Sequence, residues 1–376
     1  MTEKTVHIIL FDVPYPANYG GIIDVFYKLK SLHQLGVKII CHAYYYEGHN
    51  SPTDELDKYC STVYYYKRQT QLSKLLFSKV PYIINSRSDQ NLLSNLQKDN
   101  HPILFEGLHT CFYLNHYQLK DRVKIVRTHN IEHDYYSGLA KVEPNFLKQL
   151  YLKREAKKLK QFEYNLTFAN YLLSISKMDV SHFSEYSKTL HIPPFFNQNH
   201  SKQIGSTKIE TQFCLFQGNL GVAENIDAVN FILNKIAPNC NYLIKIAGKN
   251  PNQVLKDKIQ TLDNVLLIEN PTDEDMTHEI KTAHVNLLFT FQQTGVKLKL
   301  INALQQGKHI LINSLMDDSN IFKAFCFVQD TPEDILRTLH KLMDTPFTQS
   351  SYENRYKQFS FYFDNAKNAK QILDLI

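Results

Sequence analysis

The stretch HVNLLFTFQQTGVKLKLINALQQGKHILIN, residues 284–313, decides the fold class of this 376-residue chain. Residues 285–289 form an apolar run that is typical of a buried strand, and a polar loop with one glycine follows it. Residues 297–306 predict a helix, and a glycine separates this helix from a second apolar run at 310–312. A strand, a loop, a helix and a strand in this order form a βαβ unit, so the two strands are predicted to be parallel.

The loop of this unit is a candidate anion site. Thr294 and Gly295 lie between the end of a strand and the start of a helix, where backbone N–H groups and the helix dipole attract anions. Lys299 and Asn302 are three residues apart, so they share one helix face just beyond the loop. The lysine suits a diphosphate and the amide suits a ribose hydroxyl. An ordinary βαβ turn with a solvated lysine is the alternative interpretation.

Length and composition limit the classes of protein to consider. A chain of this length predicts two domains, each large enough for its own core. The net charge of +5 fits an anionic small molecule or an acidic membrane surface, and it is too weak to indicate nucleic-acid binding. The six cysteines are scattered without a CxxC pair, which favours free thiols in a reducing cytosol. The N-terminal sequence is not that of a signal peptide, and no apolar run approaches the ~20 residues of a membrane span. We therefore expect a cytoplasmic protein and leave open docking on the inner face of the membrane.

Strand-like runs alternate with helical patterns along the whole chain. The predicted strands of the first half lie at 6–13, 37–46, 62–66, 103–106, 124–129, 171–175 and 189–196. Those of the second half lie at 213–216, 242–247, 265–268, 285–289, 310–312 and 325–328. A polar stretch at 197–211 predicts a linker between the two series. We therefore expect two doubly wound, parallel-sheet α/β domains in tandem, residues 1–200 and 201–350.

The C-terminal segment, residues 351–376, predicts one or two helices. Four apolar residues fall on one face of the pattern: Phe359, Phe363, Ala366 and Leu373. Packing of this face in a core is the default interpretation, and packing back across the first domain is the specific alternative.

A glycine pair in the first half opens a helix directly after the first predicted strand. Gly20 and Gly21 allow a ligand or a second domain to approach the backbone closely. The pattern differs from the GxGxxG fingerprint, and no acidic residue closes the second predicted strand, so NAD and FAD are not expected. A tight turn without a ligand is the alternative.

Two loops of the second half have the same character. Gly218-Asn219 ends the first strand of the second series, and Gly248-Lys249 follows the next strand. If the strand order brings these loops together with the loop at 294–295, all three line one crevice.

These stretches together resemble the GT-B glycosyltransferases, and more narrowly the large retaining family GT4. The resemblance covers nearly the whole chain through PYPANYGG, FEGLH (105–109), RTHNIEHDYYSGLA (127–140), FQGNLGVAENIDAV, IKIAGKNP and TGVKLKLINALQQGKHILIN. It implies two Rossmann-like domains facing a cleft, with a C-terminal helix that crosses back to the first domain. It also implies transfer of a hexose, with retention, from a UDP- or GDP-sugar to a glycan or lipid-linked acceptor in surface polysaccharide or glycoconjugate synthesis. No cofactor is expected.

The resemblance implies roles for the candidate residues. The donor would be bound by Gly20, Gly21, Gly218, Asn219, Lys249, Thr294, Gly295, Lys299 and Asn302. Glu106 and His109, near a strand end, would act beside the reacting sugar as a base, a hydrogen-bond acceptor or a dipole. A helix-terminus histidine is the alternative for His109. The acceptor would meet Arg127, His129, Asn130 and Glu132.

The chain departs from the GT4 pattern at four ionic positions. Relatives usually carry two glutamates where this chain has Thr294 and Asn302, and an arginine and a lysine where it has Asn219 and Asn225. Neutral partners make weaker hydrogen bonds to a donor. Two hypotheses follow: an active enzyme with an unusual donor, or a catalytically inactive module that binds a glycan or a partner protein.

Three polar features have less specific interpretations. The cluster of His129, Glu132 and His133 is a formal candidate for a metal, but GT-B enzymes generally need none for chemistry, so no metal is expected. The acidic run 273–275 is better explained by helix capping than by a DxD metal motif. The basic helix predicted at 145–166 has either a solvated charged face or a face for anionic lipid.

Overall fold

The computed structural model describes residues 4–17, 20–70, 78–143, 145–198, 212–291, 298–317 and 322–376. These residues form two compact units. The first unit contains the described residues up to 198 together with 363–376, and the second contains those from 212 to 362. The predicted linker at 197–211 lies outside the described residues from 199 onwards.

The first unit is built on a parallel sheet of seven strands in the order β3-β2-β1-β4-β5-β6-β7. The strands are β1 (Thr5–Leu10), β2 (Lys38–Tyr45), β3 (Thr62–Lys67), β4 (Ile103–Glu106), β5 (Lys124–Thr128), β6 (Tyr171–Ser174) and β7 (Thr189–His191). The described helices before the second unit are α1 (Gly20–Gln34), α2 (Tyr82–Asn85), α3 (Gln90–Leu96), α4 (Glu132–Val142), α5 (Phe146–Phe162) and α6 (Val180–Phe183). The strand order reverses between β1 and β4, and the carboxyl ends of strands at such a switch point are where ligands bind in this architecture.

The second unit has a parallel sheet of six strands in the order β10-β9-β8-β11-β12-β13. The strands are β8 (Phe213–Gln217), β9 (Leu243–Gly248), β10 (Val265–Glu269), β11 (Val285–Leu288), β12 (His309–Ile312) and β13 (Phe327–Val328). The helices are α7 (Ala223–Phe231), α8 (Gln253–Ile259), α9 (Asp273–Thr282), α10 (Leu298–Gln306), α11 (Pro332–Met343) and α12 (Gln349–Tyr362). Each of the thirteen predicted strands is present and pairs in parallel, which confirms two doubly wound domains.

The βαβ unit predicted from residues 284–313 is confirmed. Strands β11 and β12 pair in parallel with Val285 opposite His309, and α10 connects them. Gly307 directly follows the helix, and a Cβ at this position would lie 2.6 Å from the Asn286 amide nitrogen and 2.9 Å from the carbonyl oxygen of Ala303. The glycine therefore lets the chain turn tightly against the sheet.

The C-terminal segment forms two helices, and the prediction of one continuous apolar face is wrong at Ala366. Phe359 and Phe363 are buried, whereas Ala366 is exposed. Asp364 caps the N-terminus of the last helix, α13 (Asn365–Leu373), so the periodicity of α12 does not continue across the break. Helix α13 packs against α1 and buries Ala369 and Ile372 in the core of the first unit.

Three smaller expectations can be compared with the structure. The acidic run at 273–275 begins α9, and Thr272 and Asp275 form a reciprocal capping box, so the capping interpretation is confirmed. The six cysteines are free thiols. Among the described helices, none is long and apolar enough to span a bilayer.

Candidate functional site

In the second unit, two glycine-bearing loops meet at the carboxyl edge of the sheet. A Cβ on Gly248 would lie 1.9 Å from the carbonyl oxygen of Gly218, and a Cβ on Gly218 would lie 2.9 Å from the Asn225 side chain. The backbone nitrogen of Leu220 donates to the carbonyl of Lys249 over 2.7 Å. Only glycine fits such contacts, so the predicted meeting of these two loops is confirmed.

The lysine singled out in the sequence lies beside these loops. The ammonium of Lys299 donates to Asn225 Oδ1 at 2.8 Å and lies 3.3 Å from the carbonyl oxygen of Phe289. It also lies 5.1 Å from the ring centre of Phe216, the last residue but one of β8. The Asn225 amide donates in turn to the carbonyl of Asn219 over 2.9 Å. These partners are neutral oxygens, and they orient the ammonium.

The other predicted donor residues are distributed unevenly. Asn302 is half-buried one turn after Lys299, and no described residue hydrogen-bonds its side chain. Lys249 is exposed, and its ammonium lies 3.8 Å from a carboxylate oxygen of Asp273 at the start of α9. Thr294 and Gly295 lie outside the described residues.

Sequence reasoning missed several side chains at this edge of the second unit. Thr290 follows β11, and its hydroxyl bonds the carboxylate of Glu224. The side-chain amide of Asn313 makes two hydrogen bonds to the backbone of Thr290. Its nitrogen donates to the carbonyl oxygen over 2.6 Å, and its oxygen accepts from the backbone nitrogen over 3.2 Å. A polar residue directly after a strand was the available signal for both positions.

In the first unit, four charged side chains form a fully enclosed network. Lys28 on α1 donates to Asp24 at 2.8 Å and to Glu106 Oε2 at 2.9 Å. Arg127 on β5 donates to Asp24 at 2.8 Å and to the carbonyl of Ile192 at 2.6 Å. Burial alone would raise the pKa of Asp24, but Arg127 and Lys28 hold it below its usual value. The network therefore ties α1 to β4, β5 and the segment after β7.

The burial of this network revises two sequence-based assignments. Glu106 and Arg127 have no exposed surface, so neither side chain can contact an acceptor directly. Burial alone would raise the pKa of Glu106, but Lys28 and His129 lower it, so the carboxylate is ionised. The role that the geometry supports for Glu106 is to hold His129, whose Nε2 lies 3.2 Å from Glu106 Oε2.

A histidine pair lies at the strand ends above this network. The rings of His109 and His129 each pack 5.5 Å from the ring of Phe11, which follows β1. Gly107 has φ +70°, and a Cβ there would lie 3.0 Å from His109 Nδ1. A Cβ on Gly21 would lie 2.8 Å from the Phe11 ring. The glycines of FEGLH and of the Gly20-Gly21 pair therefore leave room for one cluster of rings.

The protonation of His109 follows from its surroundings. Burial lowers the pKa of His109 well below its ordinary value, and the positive charge of Arg87 acts in the same direction. His109 is therefore a neutral imidazole at pH 7. Sequence reasoning missed Arg87, which is buried and donates to the carbonyls of Phe11 and Ile83. Nothing in its local sequence distinguishes it from a surface arginine.

A second carboxyl group faces His109. Glu132 Oε1 lies 3.8 Å from His109 Nδ1, and no described residue hydrogen-bonds either atom. Burial raises the pKa of Glu132 to about 8, and a hydrogen bond from Asn130 opposes this shift. His109, His129, Asn130 and Glu132 thus come together as predicted from the sequence. Their imidazole and carboxyl groups can accept or donate a proton.

One histidine–carboxylate cluster in this region is unsuited to a metal. Single atoms of Asp24, Glu106 and His129 lie within 4.8 Å of one another. The ammonium of Lys28 lies within hydrogen-bonding distance of both carboxylates, and Arg127 occupies the other side of Asp24. Two cationic side chains already neutralise these carboxylates, so the cluster is a set of ion pairs.

Comparison with known proteins gives one relative in sequence. No known protein-family profile matches the chain. An uncharacterized 44.6 kDa protein in the cps region of Klebsiella pneumoniae is 25% identical over 382 residues, and the match covers 96% of each chain.

Solved structures with the same architecture span nearly the whole chain. The N-terminal domain of Candida albicans trehalose-6-phosphate phosphatase superposes with a TM-score of 0.66 at 9% identity, over 98% of each chain. An α,α-trehalose 6-phosphate synthase from Burkholderia multivorans gives 0.64 at 10% identity, over 100% of this chain and 98% of the other. A UDP-glucosyltransferase from Polygonum tinctorium gives 0.57 at 9% identity, over 100% and 99%. At such low identity the likeness concerns the fold alone, and that fold is the GT-B fold of glycosyltransferases.

Proposed function

We propose that the protein is a glycosyltransferase that moves a sugar from a nucleotide-diphosphate-sugar donor to a glycan or lipid-linked acceptor. The observation that carries the proposal is the position of Lys299. Its ammonium lies at the carboxyl ends of β8 and β11 in the second unit, oriented by Asn225. In a doubly wound domain this is the edge where a diphosphate binds, and a cation there stabilises a departing nucleotide.

The donor is assigned to the second unit as a UDP- or GDP-sugar. Two of the structural neighbours are named for UDP chemistry, a UDP-glucosyltransferase and a UDP-forming trehalose-phosphate synthase, which supports this class of donor. Gly218 and Gly248 allow their two loops to pack tightly beside Lys299, and we assign the ribose hydroxyl to Asn302, which is half-buried one turn further on. The GT4 resemblance favours transfer with retention.

The acceptor is assigned to the first unit. The side chain of His109 is 25% exposed at the strand ends where an acceptor hydroxyl would lie, and the buried carboxyl group of Glu132 lies 3.8 Å from its Nδ1. A neutral imidazole can accept the proton of such a hydroxyl. The cps-region relative from Klebsiella pneumoniae supports a role in surface polysaccharide synthesis.

Peripheral contact with a membrane belongs to the same proposal. Helix α5 exposes three large apolar residues in its first turns: Phe146 by 73%, Leu147 by 75% and Leu150 by 57%. The same exposed side continues with four cations, namely Lys153, Arg154, Lys157 and Lys160. An anionic membrane attracts basic side chains, and neighbouring apolar side chains can insert into it. A lipid-linked acceptor would lie at the same membrane surface.

A second candidate function is a GT-B module that binds without catalysis. The observation that favours it is the neutral character of Asn219, Asn225 and Asn302, where GT4 relatives carry charged residues. In this chain Asn225 orients Lys299, which supplies a cation from a different helix. Because Lys299 supplies this cation, we prefer the hypothesis of an active enzyme to that of a binding module.

Direct turnover decides between the two. The purified protein is incubated with a panel of UDP- and GDP-sugars and with glycan and lipid-linked acceptors, and both released nucleotide and glycosylated product are measured. We expect one donor to give both signals in equal amounts. A donor that binds in calorimetry but is never turned over with any acceptor would establish the binding module.

A further inference from the structure

Three side chains of the types that bind metal ions come from separate segments of the first unit and lie close together. His133 lies in the first turn of α4, Glu163 directly follows α5, and His182 lies in α6. One atom from each, His133 Nδ1, a Glu163 carboxylate oxygen and His182 Nε2, lies within 4.8 Å of the other two. Glu163 is almost completely buried, and both imidazoles are partly exposed. An ion from solvent can therefore reach them.

The distances match those between ligands that share one metal ion. Glu163 Oε2 lies 3.1 Å from His133 Nδ1, and it lies 3.0 Å from His182 Nε2 in a hydrogen bond that a bound ion would replace. Zinc bonds nitrogen and oxygen ligands at about 2.0–2.2 Å in a tetrahedron, which separates neighbouring ligand atoms by about 3.3–3.5 Å. The two observed separations are within about 0.5 Å of that spacing, so only small side-chain movements are needed.

The direction of one nitrogen distinguishes this cluster from an ordinary hydrogen-bond network. His133 Nδ1 is buried and makes no hydrogen bond among the described residues, although the carboxylate oxygen of Glu163 is only 3.1 Å away. The oxygen must therefore lie off the axis along which this nitrogen bonds. Two ligands of one ion have this relation, because each directs its lone pair at the ion between them. A buried nitrogen without a partner also costs free energy that an ion would recover.

The surroundings supply the outer contacts that metal ligands need. Asp134 Oδ1 lies 3.5 Å from His133 Nε2, so the ring nitrogen opposite the proposed ligand atom faces a carboxylate. The hydroxyl of Tyr186 donates to Glu163 Oε2 over 3.2 Å. Carboxylate partners of this kind fix the tautomer and direction of a metal-bound imidazole.

We propose that His133, Glu163 and His182 form a zinc site that joins α4, the end of α5 and α6. Two imidazoles and one carboxylate favour zinc over magnesium or calcium, which prefer sets of oxygen ligands. A fourth position remains for water on the exposed side. The ion stabilises the first unit by linking segments that are 30 and 19 residues apart in sequence. This inference is independent of the proposed function, because the nucleotide is assigned to the second unit.

Binding of the ion itself is the test. Untagged protein is treated with EDTA, dialysed and titrated with ZnCl2 by calorimetry, and with CoCl2 by visible absorption. We expect one ion per chain, intense tetrahedral cobalt bands, and at least a hundredfold weaker zinc binding in His133→Ala and His182→Ala. The exposed His278→Ala in the second unit is the matched control and should bind as the wild type does. Zinc should also raise the melting temperature of the wild type and of the control.

Two results would overturn the site. One is wild-type protein that binds no zinc at millimolar concentration, which would leave Glu163 as the centre of a hydrogen-bond network. The other is equal affinity in the wild type and in His182→Ala, which would place the ion elsewhere. If His133→Ala fails to fold, the wild-type cobalt spectrum still decides, because weak octahedral bands would indicate adventitious binding. Binding of UDP should be unchanged in His182→Ala, so failure of this site leaves the proposed function unaffected.

Discussion

At the scale of single residues, Lys299 is the side chain on which nucleotide binding should depend. Its ammonium is oriented by Asn225 at 2.8 Å, and an ammonium at this edge of the sheet can make a charge-assisted hydrogen bond to a phosphate. Such a bond contributes roughly 1.5–3 kcal/mol. We expect Lys299→Ala to weaken UDP or GDP binding at least tenfold in calorimetry, with little effect on the free nucleoside. Lys235→Ala, an exposed lysine of the same unit, is the control. Equal affinity in Lys299→Ala and the control would remove Lys299 from the site.

His109 is the residue on which turnover should depend. It is a neutral imidazole on a side chain that is 25% exposed, so it can accept a proton from an acceptor hydroxyl. With a verified acceptor, we expect His109→Ala to lower kcat by roughly two orders of magnitude, the usual effect of losing an acid–base group. Donor affinity should change little, since the nucleotide is assigned to the other unit. His33→Ala, an exposed histidine of the same unit, should keep full activity. Full turnover in His109→Ala would make this histidine structural.

The sequence could place Lys299 but could not reveal the state of Glu106. The βαβ pattern fixes the lysine one turn into a helix after a strand, which is local information. Glu106 is enclosed because Lys28 approaches it from 78 positions earlier in the chain, and a contact of that span leaves no local signal. For the same reason the sequence suggested that Arg127 binds the acceptor, although its side chain is paired with Asp24 inside the network.

At the scale of elements, strands were predicted more reliably than helix breaks. In this fold both faces of a parallel sheet are covered, so each strand appears as a short apolar run between polar segments. The break between α12 and α13 depends on the single cap at Asp364, and that cap turned Ala366 outward. The spacing of apolar residues does not reveal such a break, because the residues before it and after it are both in helices.

Helix α5 should bind anionic membranes through its exposed side. Phe146, Leu147 and Leu150 supply apolar area, and each lysine or arginine near an anionic surface adds about 1 kcal/mol. In sedimentation with vesicles containing phosphatidylglycerol, we expect the triple serine variant of these apolar residues to bind at least tenfold more weakly. Val254→Ser, an equally exposed apolar residue on α8, should bind as the wild type does.

The contribution of the basic residues of the same helix can be tested with vesicles of different lipid composition. Changing Lys153, Lys157 and Lys160 to glutamine should weaken binding to anionic vesicles and make the remaining binding less sensitive to added salt, because salt screens only the electrostatic part of the attraction. Vesicles of phosphatidylcholine alone should bind every variant weakly. If wild type and both variants sediment equally with anionic vesicles, α5 is a solvated face and the membrane proposal fails.

At the scale of the whole molecule, a pair of buried histidines should lower the stability of the first unit as the pH drops below about 6.5. Glu132, whose pKa is raised to about 8, contributes in the opposite direction, so the test compares variants of the histidine pair with the wild type. His7 and His42 lie on neighbouring strands β1 and β2, with His7 Nδ1 2.8 Å from His42 Nε2. Burial lowers the pKa of His7 and lowers that of His42 well below its ordinary value, with the charge of Arg122 acting in the same direction. His42 is therefore neutral in the folded protein near pH 6, and His7 takes up a proton less readily than in the unfolded chain, although Asp99 opposes its shift.

The sign of the effect follows from which state binds more protons. Above pH 6.5 the histidines are neutral in both states and contribute no pH dependence. Below it the unfolded chain takes up protons that the folded chain excludes, so the free energy of unfolding falls by up to about 1.4 kcal/mol per pH unit for each histidine. Asp99, which pairs with His7 at 2.9 Å, acts in the same direction only at lower pH, because its pKa is lowered in the folded protein.

Urea unfolding followed by circular dichroism at pH 7.5, 6.5 and 5.5 measures this dependence. His42→Gln removes one of the excluded protons while keeping a group that can bond the Tyr66 hydroxyl, which His42 Nδ1 meets at 2.9 Å. The variant should be less stable at pH 7.5 and should lose less stability than the wild type between pH 6.5 and 5.5. The exposed His278→Ala is the control and should keep the wild-type slope. A His42→Gln slope as steep as that of the wild type would mean that His42 carries its proton inside the folded sheet.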